Sequence, residues 1–471
     1  MTTISPLHPA APHNVDSNDL VTDGERQTTC TLENGLRIIQ IPSTTDVCYA
    51  GWAVKAGTRH ELPDETGLAH LVEHMIFKGT KSRKAADIPQ QIEKLGAELN
   101  AYTTKEEMVL YTVCMKEHLQ KAMALMADMM WNSIFPTHEL EKEIEVVRDE
   151  IMTTRDTPAE LIFDEFEEMA MKNHPLGRNI LGTEEALEKT TRAALTNFYD
   201  RCYKPHRAIA FVKGNIDMEK LVKICRKMTP EKRQTGGETT EGHRTNSLQA
   251  TTSLPGQPKD GAAMLGGERE TNDCSHNCRG DLTCQKPETK RVNRQTHQAH
   301  TVIGGWRASA PEDTLGTAMA LMMNLLGGPF INSRLNKILR EKHALVYNIE
   351  ANLCGYTDRA LWSIYFGCDK EDINKCCRLV MKELERLKKE GLDGRKLEAA
   401  KRQLKGWLGI SSDNFENSAL QMAKAFLHYG HYETLHSLKA RIDKLTPQDI
   451  KRAADEAFDT GKMKILIFDP E

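Results

Sequence analysis

Two distant stretches of the chain follow the same order. Gly51-Trp52 and Gly305-Trp306 each lie in a strand-like segment followed by an acidic turn and a long helical pattern. Self-similarity of this kind signals repeated structural units. At 471 residues the chain is also too long for one ordinary hydrophobic core, so a pair of related domains is expected. Matching Gly79 with Gly327 puts Ala318, Leu321 and Met322 where the first copy has His70, Glu73 and His74. The second copy therefore keeps the helix but offers no metal ligands at these positions.

With 39% hydrophobic and 28% charged residues, the composition is that of a soluble globular protein. A formal net charge of -4 gives no global field that would gather nucleic acid or an anionic membrane, and neither is expected as a partner. No run approaches the roughly 20 apolar residues of a membrane-spanning helix. Residues 1–29 have neither a basic start followed by an apolar stretch nor an Arg-rich amphipath, so they read as a flexible tail on a cytoplasmic protein. Twelve cysteines, mostly single in apolar contexts such as Cys114 and Cys225, fit buried thiols in a reducing compartment.

The first domain is expected over 30–228. It opens with LENGLRIIQIP, where an Asn-Gly turn signal precedes a β-branched apolar run, the pattern of a hairpin entering a sheet. Apolar spacing predicts helices over 66–81, 87–95, 116–131 and 138–154, and strands over 47–56 and 108–115. Thr157, Pro158 and Glu160 predict a further helix start with a capping box. From 229 to 299 the chain is rich in Gly, Thr, Ser, Gln, Asn, Pro and charge, a flexible linker or insertion with little to bury. Order resumes in a second domain over 300–471. Within the insertion, Cys274, His276, Cys278 and Cys284 lack the two-residue separation usual in small zinc modules.

The chemistry concentrates in GLAHLVEHMIFKGT. His70 and His74 are four apart, so a helix puts both imidazoles on one face, one turn from each other. Glu73 lies beside them. Two neutral imidazoles can bind zinc while a carboxylate outside the ligand set takes a proton from water activated there. A catalytic zinc needs a third protein ligand from a separate element. The helical segment HELEKEIEVVRDEIMTTRD supplies Glu143 and Glu150, two turns apart beside the apolar stripe of Ile144, Val147 and Ile151. Acids bordering a buried stripe are costly unless paired or ligating. Without the upstream histidines, the same segment would read as a solvated charged face.

The pattern His70-x-x-Glu73-His74, followed by Glu143 and Glu150, resembles the pitrilysin, insulinase and mitochondrial-processing-peptidase family of inverted zinc metallopeptidases. Further likeness runs through NGLRII, GAELNAYT, HPLGRNILG and SRLNKILREKHALVY. The resemblance implies His70, His74 and Glu150 as ligands of one zinc per chain, with Asp149 the rival third ligand if the register slips by one. It implies Glu73 as general base and Glu143 as a carboxylate that steadies the site. Asn100 and Ala101 match a position that holds an extended peptide by strand addition. Arg340 and Tyr347 match a pair suited to a substrate carbonyl or oxyanion. His174 and Arg178 read as structural, shaping a loop under the active-site helix.

The resemblance further implies an α+β fold: two homologous α/β domains, each a mostly antiparallel sheet with helices packed on one side, facing across a chamber. The activity implied is that of a zinc endopeptidase acting on peptides or unfolded polypeptide, as a homodimer or with a related subunit. A non-catalytic structural or partner subunit of the same fold is the alternative. Such members lose ligands, and here the set is intact. A non-proteolytic zinc sensor would need a fourth protein donor in place of water.

Overall fold

The computed structural model describes residues 18–22, 25–231, 286–307 and 313–471. Cys274, His276, Cys278 and Cys284 lie outside them. β1 (Asn18–Thr22) pairs antiparallel with β2 (Glu25–Thr31), and β2 turns into β3 (Arg37–Pro42). At the turn Gly35 takes φ +86°, a conformation glycine adopts without strain, and the Asn34 side chain accepts the Leu36 N–H at 3.1 Å. The expected hairpin thus forms. Its sheet starts earlier than expected, inside the segment 1–29 read as a tail. β2 is ERQTTCT, too polar to show the apolar alternation that marks a strand.

The first half continues with β4 (Val47–Val54), α1 (Leu68–Met75), α2 (Asp87–Glu93), β5 (Glu98–Thr103), β6 (Met108–Met115), α3 (Leu119–Asn132) and α4 (Thr137–Arg155). Then come α5 (Pro158–Ala170), α6 (Glu184–Glu188), α7 (Arg192–Cys202), β7 (Ala208–Gly214) and α8 (Met218–Met228). The sheet order is β1-β2-β3-β7-β4-β6-β5, with only β3 and β7 parallel among its pairs. On central β4, Cys48, Ala50, Trp52 and Val54 join the core with residues of α1, α3, α7 and α8. Trp52 meets Trp131 edge to face at 6.0 Å, an arrangement the ring quadrupoles favour. α5 starts at Pro158 as expected, but Thr157 makes no cap. Its hydroxyl donates back to Thr153 O at 3.1 Å, so the capping box does not form.

The second half comprises β8 (Glu288–Arg294), β9 (Ala299–Arg307), α9 (Thr314–Gly327), a π-helical segment (Asn336–Lys342), β10 (Val346–Gly355) and β11 (Ala360–Cys368). It ends with α10 (Ile373–Glu390), α11 (Gly394–Ser412), α12 (Phe415–Tyr429), α13 (Leu435–Asp443), α14 (Pro447–Ala457) and β12 (Lys464–Pro470). Its sheet runs β10-β11-β9-β12-β8, with β12 and β8 parallel. β8 lies within 229–299, the stretch expected to be linker. It is an edge strand of sequence ETKRVNR with mostly exposed side chains, so it carries no apolar signal. Ala318, Leu321 and Met322 are buried apolar residues of α9.

Each half holds one sheet, but the repeat is offset by one residue. On β4, Trp52 faces the helices and Gly51 the other face. On β9, Trp306 packs on the face away from the helix core, with Val302 and Phe166. The glycine equivalent to Gly51 is Gly304: a Cβ on Gly51 would lie 2.4 Å from Leu110 O and 2.8 Å from the Phe211 ring, and on Gly304 2.2 Å from Trp362 O and 2.8 Å from the Phe166 ring. Successive strand residues point to opposite faces, so the matching Gly-Trp dipeptides hide a change of face. Trp362, paired across the ladder with Gly305, supplies the core indole and meets Phe458 edge to face.

Helices crowd one face of each sheet, and one helix from the other half covers the opposite face. α5 packs on β9 and β12, α12 on β7 and β4. Phe166 of α5 belongs to a cluster with Val302, Tyr365 and Phe468. Met422 and Phe426 of α12 belong to one with Val109, Ile209 and Phe211. The tip of the β10–β11 hairpin adds a polar lock. Arg59 donates to Asp358 at 2.9 and 2.8 Å and to Glu106 at 2.7 Å, while Thr357 N donates to Glu106 Oε2 at 2.9 Å. Among the described residues the cysteines are free, Cys114 and Cys225 buried among them, and no helix is long and apolar enough to cross a membrane.

Candidate active site

α1 is shorter than the expected 66–81. It begins after Gly67, whose φ of +89° bends the chain in, and ends at Met75 in a turn through Lys78 to Gly79. Gly67 has no side chain to cap the helix. The buried Glu61 does so from a distance, its Oε1 accepting Ala69 N–H at 2.9 Å. Arg178 donates to Glu61 O at 2.5 Å and Lys105 to Arg178 O. His174 accepts Leu176 N–H at 3.2 Å. The segment carrying His174 and Arg178 therefore braces the entry to α1.

On α1 the His70 and His74 rings lie 4.6 Å apart between centroids. α4 packs against this helix and brings Glu150 to both: His70 Nε2 is 3.8 Å from Glu150 Oε2, and His74 Nε2 is 3.7 Å from Oε1. Two ligands at zinc bond lengths near 2.1 Å in a tetrahedron are about 3.4 Å apart, so little movement is needed to admit the ion. These three residues form the one His/Cys/Asp/Glu group of metal-binding geometry among the described residues. Asp149 is exposed and outside it. Glu150 is 41% exposed, which leaves a side open to solvent. Burial, and then the neighbouring His74, push His70 down to about 4, so its imidazole is neutral at neutral pH, the form that ligates.

The first-turn and last-turn histidines differ in support. His74 Nδ1 is 3.1 Å from Glu143 Oε2, the carboxylate–imidazole contact that orients a ligand ring. His70 Nδ1 is buried without a partner. Glu73 belongs to α1 and has Thr103, at the end of β5, as a neighbour. Burial raises its carboxyl above the ordinary range, opposed by Thr103 and His74. Glu73 Oε2 and Thr103 Oγ1 nonetheless have no hydrogen-bond partner within bonding geometry, so this oxygen is free to take a proton.

β5 is the edge strand next to α1. Asn100 pairs with Tyr111 and Ala101 with Leu110 of β6, and no described strand pairs on the other side. Beneath it is a groove of about 620 Å³ lined by Phe77, Lys78, Ile88, Ile92, Leu99 and Asn100. Arg340 and Tyr347 are not brought to the histidines. Arg340 is exposed on the π-helical segment. Tyr347, 60% exposed, donates to Asp369 Oδ1 at 2.9 Å. Sequence reasoning passed over Lys78, whose ammonium is 2.5 Å from Glu143 Oε1. Its position four residues after His74, one helical turn on, was the available signal.

Comparisons with known proteins identify the family. Residues 37–184 match the family described as Insulinase (Peptidase family M16), and residues 189–404 match the Peptidase M16 inactive domain. A Bacillus subtilis protein bearing the name uncharacterized zinc protease YmxG is 28% identical, over 91% of this chain and 95% of its own. A Streptomyces coelicolor protein, also named an uncharacterized zinc protease, is 27% identical over 90% and 85%. Among solved structures, a protease from Helicobacter pylori superposes with a TM-score of 0.76 at 21% identity, covering 95% of this chain and 100% of that one. A Pseudomonas fluorescens structure described as a peptidase M16 inactive domain gives 0.76 at 18% identity, over 94% and 97%. The His70, His74 and Glu150 cluster falls within the first of these matches, and the chain belongs to peptidase family M16, in its two-domain size.

Proposed function

We propose that the protein is a zinc-dependent endopeptidase that cleaves peptides or extended polypeptide segments. The observation that carries this is the convergence of His70 Nε2 and His74 Nε2 on the two oxygens of Glu150, with a buried, partly unpartnered Glu73 on the same helix. When bound, zinc supplies Lewis acidity that acidifies water and polarises a carbonyl. His70, His74 and Glu150 would hold it. Glu143 keeps the His74 ring oriented through Nδ1. Glu73 takes the proton of the attacking water and returns it to the leaving amine. An extended substrate lies along β5, where Asn100 and Ala101 offer the open strand edge.

The non-catalytic alternative is less well supported, because the ligand set and the base are both present. The test is hydrolysis of a quenched fluorescent peptide before and after removal of metal by a chelator. Activity is expected to vanish on chelation and return with one equivalent of zinc per chain. Unchanged turnover in metal-free protein would reject the reading.

A further inference from the structure

Lys78 has no part in the reaction just described, yet it completes a chain of contacts to a metal ligand. Glu143 uses both oxygens: Oε1 lies 2.5 Å from Lys78 Nζ, and Oε2 lies 3.1 Å from His74 Nδ1. We propose that Lys78 is a positioning residue of the metal centre, fixing the Glu143 carboxylate in the orientation that holds the His74 imidazole ready for zinc. The proposal rests on the zinc reading given above.

The backbone sets up the geometry. After α1, Phe77 N donates to His74 O at 3.3 Å and Lys78 N to Met75 O at 3.1 Å, so the chain winds one more turn and returns Lys78 to the His74 side. A cation at this end of a helix is also favoured by the helix dipole. Glu143 projects from α4 and is buried. A buried carboxylate without a counter-charge is costly, and Lys78 is the only cation in ion-pair contact with it among the described residues apart from His74. Lys78 also lines the groove beneath β5, but its ammonium is committed inward to Glu143. Removing it would free Glu143 to leave the His74 ring, and the imidazole would lose the contact that aims Nε2 at the metal.

A merely structural role, bracing α1 against α4, would change thermal stability without touching the metal. The experiment therefore reads the metal. Zinc affinity is measured by competition with a chromogenic chelator, and the ligand-field absorption of the cobalt-loaded protein is recorded, for wild type, Lys78→Met and Lys78→Arg. Lys78→Met is expected to weaken zinc binding about tenfold and to alter the cobalt spectrum, and Lys78→Arg to restore both. Should Lys78→Met fail to fold, Lys78→Gln, which keeps a polar end without charge, carries the same expectation. Zinc affinity within about twofold of wild type with a superimposable cobalt spectrum in the uncharged variant would overturn the role of Lys78. Failure of the wild type itself to bind either metal would instead defeat the zinc reading and the proposal with it.

Discussion

Glu61 shows how a single side chain can link α1 to pH. Burial pushes its carboxyl up to about 8, and Oε2 has no partner, while Oε1 holds Ala69 N–H beside His70. An unfolded-chain glutamate titrates near about 4.3. Between these values the folded state holds a proton that the unfolded state has lost, so stability falls as pH rises through this window and levels off above it. Glu61→Gln is neutral throughout and keeps an oxygen for Ala69. Urea unfolding at about pH 5 and about pH 8 should show a smaller loss of stability across the window in Glu61→Gln than in wild type, and an equal loss would refute the assignment. At this scale helical spacing put His70 and His74 on one face and Glu143 and Glu150 on another, while the family resemblance, and not periodicity, joined the two pairs into one set with Glu73. The contacts of Glu61 and Lys78 were not legible. Glu61 meets Ala69 across a turn, at a separation no periodicity marks, and for Lys78 the helical spacing from His74 was visible but its partner Glu143 on another helix was not.

The elements that join the halves carry their own prediction. Burial acts to raise the Asp358 carboxyl, but hydrogen bonds from Arg359 and Arg59 outweigh it and hold the group well below the usual carboxylate range. A depressed folded-state value contributes stability that is present above the unfolded value of about 3.9 and is lost as pH falls through the folded value. Because Asp358 is 41% exposed and solvent screens its ion pairs, Asp358→Asn should cost at most about 1 kcal/mol at neutral pH, with the gap to wild type closing in strong acid. Urea midpoints along a descending pH series check it, and a gap that does not change with pH would contradict it. Strands with apolar alternation, such as β4 and β6, were legible from their sequences. β2 and β8 were not, because sheet pairing and not burial fixes these polar strands. Matching Gly51-Trp52 with Gly305-Trp306 found the right strands in the wrong register, since a one-residue offset exchanges the two faces of a sheet.

In the whole molecule, α5 and α12 cross between the halves and the hairpin tip is locked at Arg59, so the two sheets are fastened to one another. β10 runs from that tip back to Tyr347, nine residues or about 30 Å in extended chain, which carries Tyr347 away from the contact with the first half. We therefore propose that Arg340 and Tyr347 serve the zinc site of a second copy or related subunit, closing a chamber between two chains. Light scattering should return the mass of two chains at working concentration, and a mass of one under conditions of full activity would refute it. The sequence reading expected the second half of the same chain to bring Arg340 and Tyr347 to the metal motif, whereas Tyr347 bonds Asp369 and Arg340 lies exposed on the π-helical segment. The most direct measurement for the whole account is made on Glu73→Gln: zinc content and peptide turnover in the same preparation, with contaminating protease excluded. The account predicts one bound zinc per chain and no hydrolysis; turnover equal to wild type would contradict it.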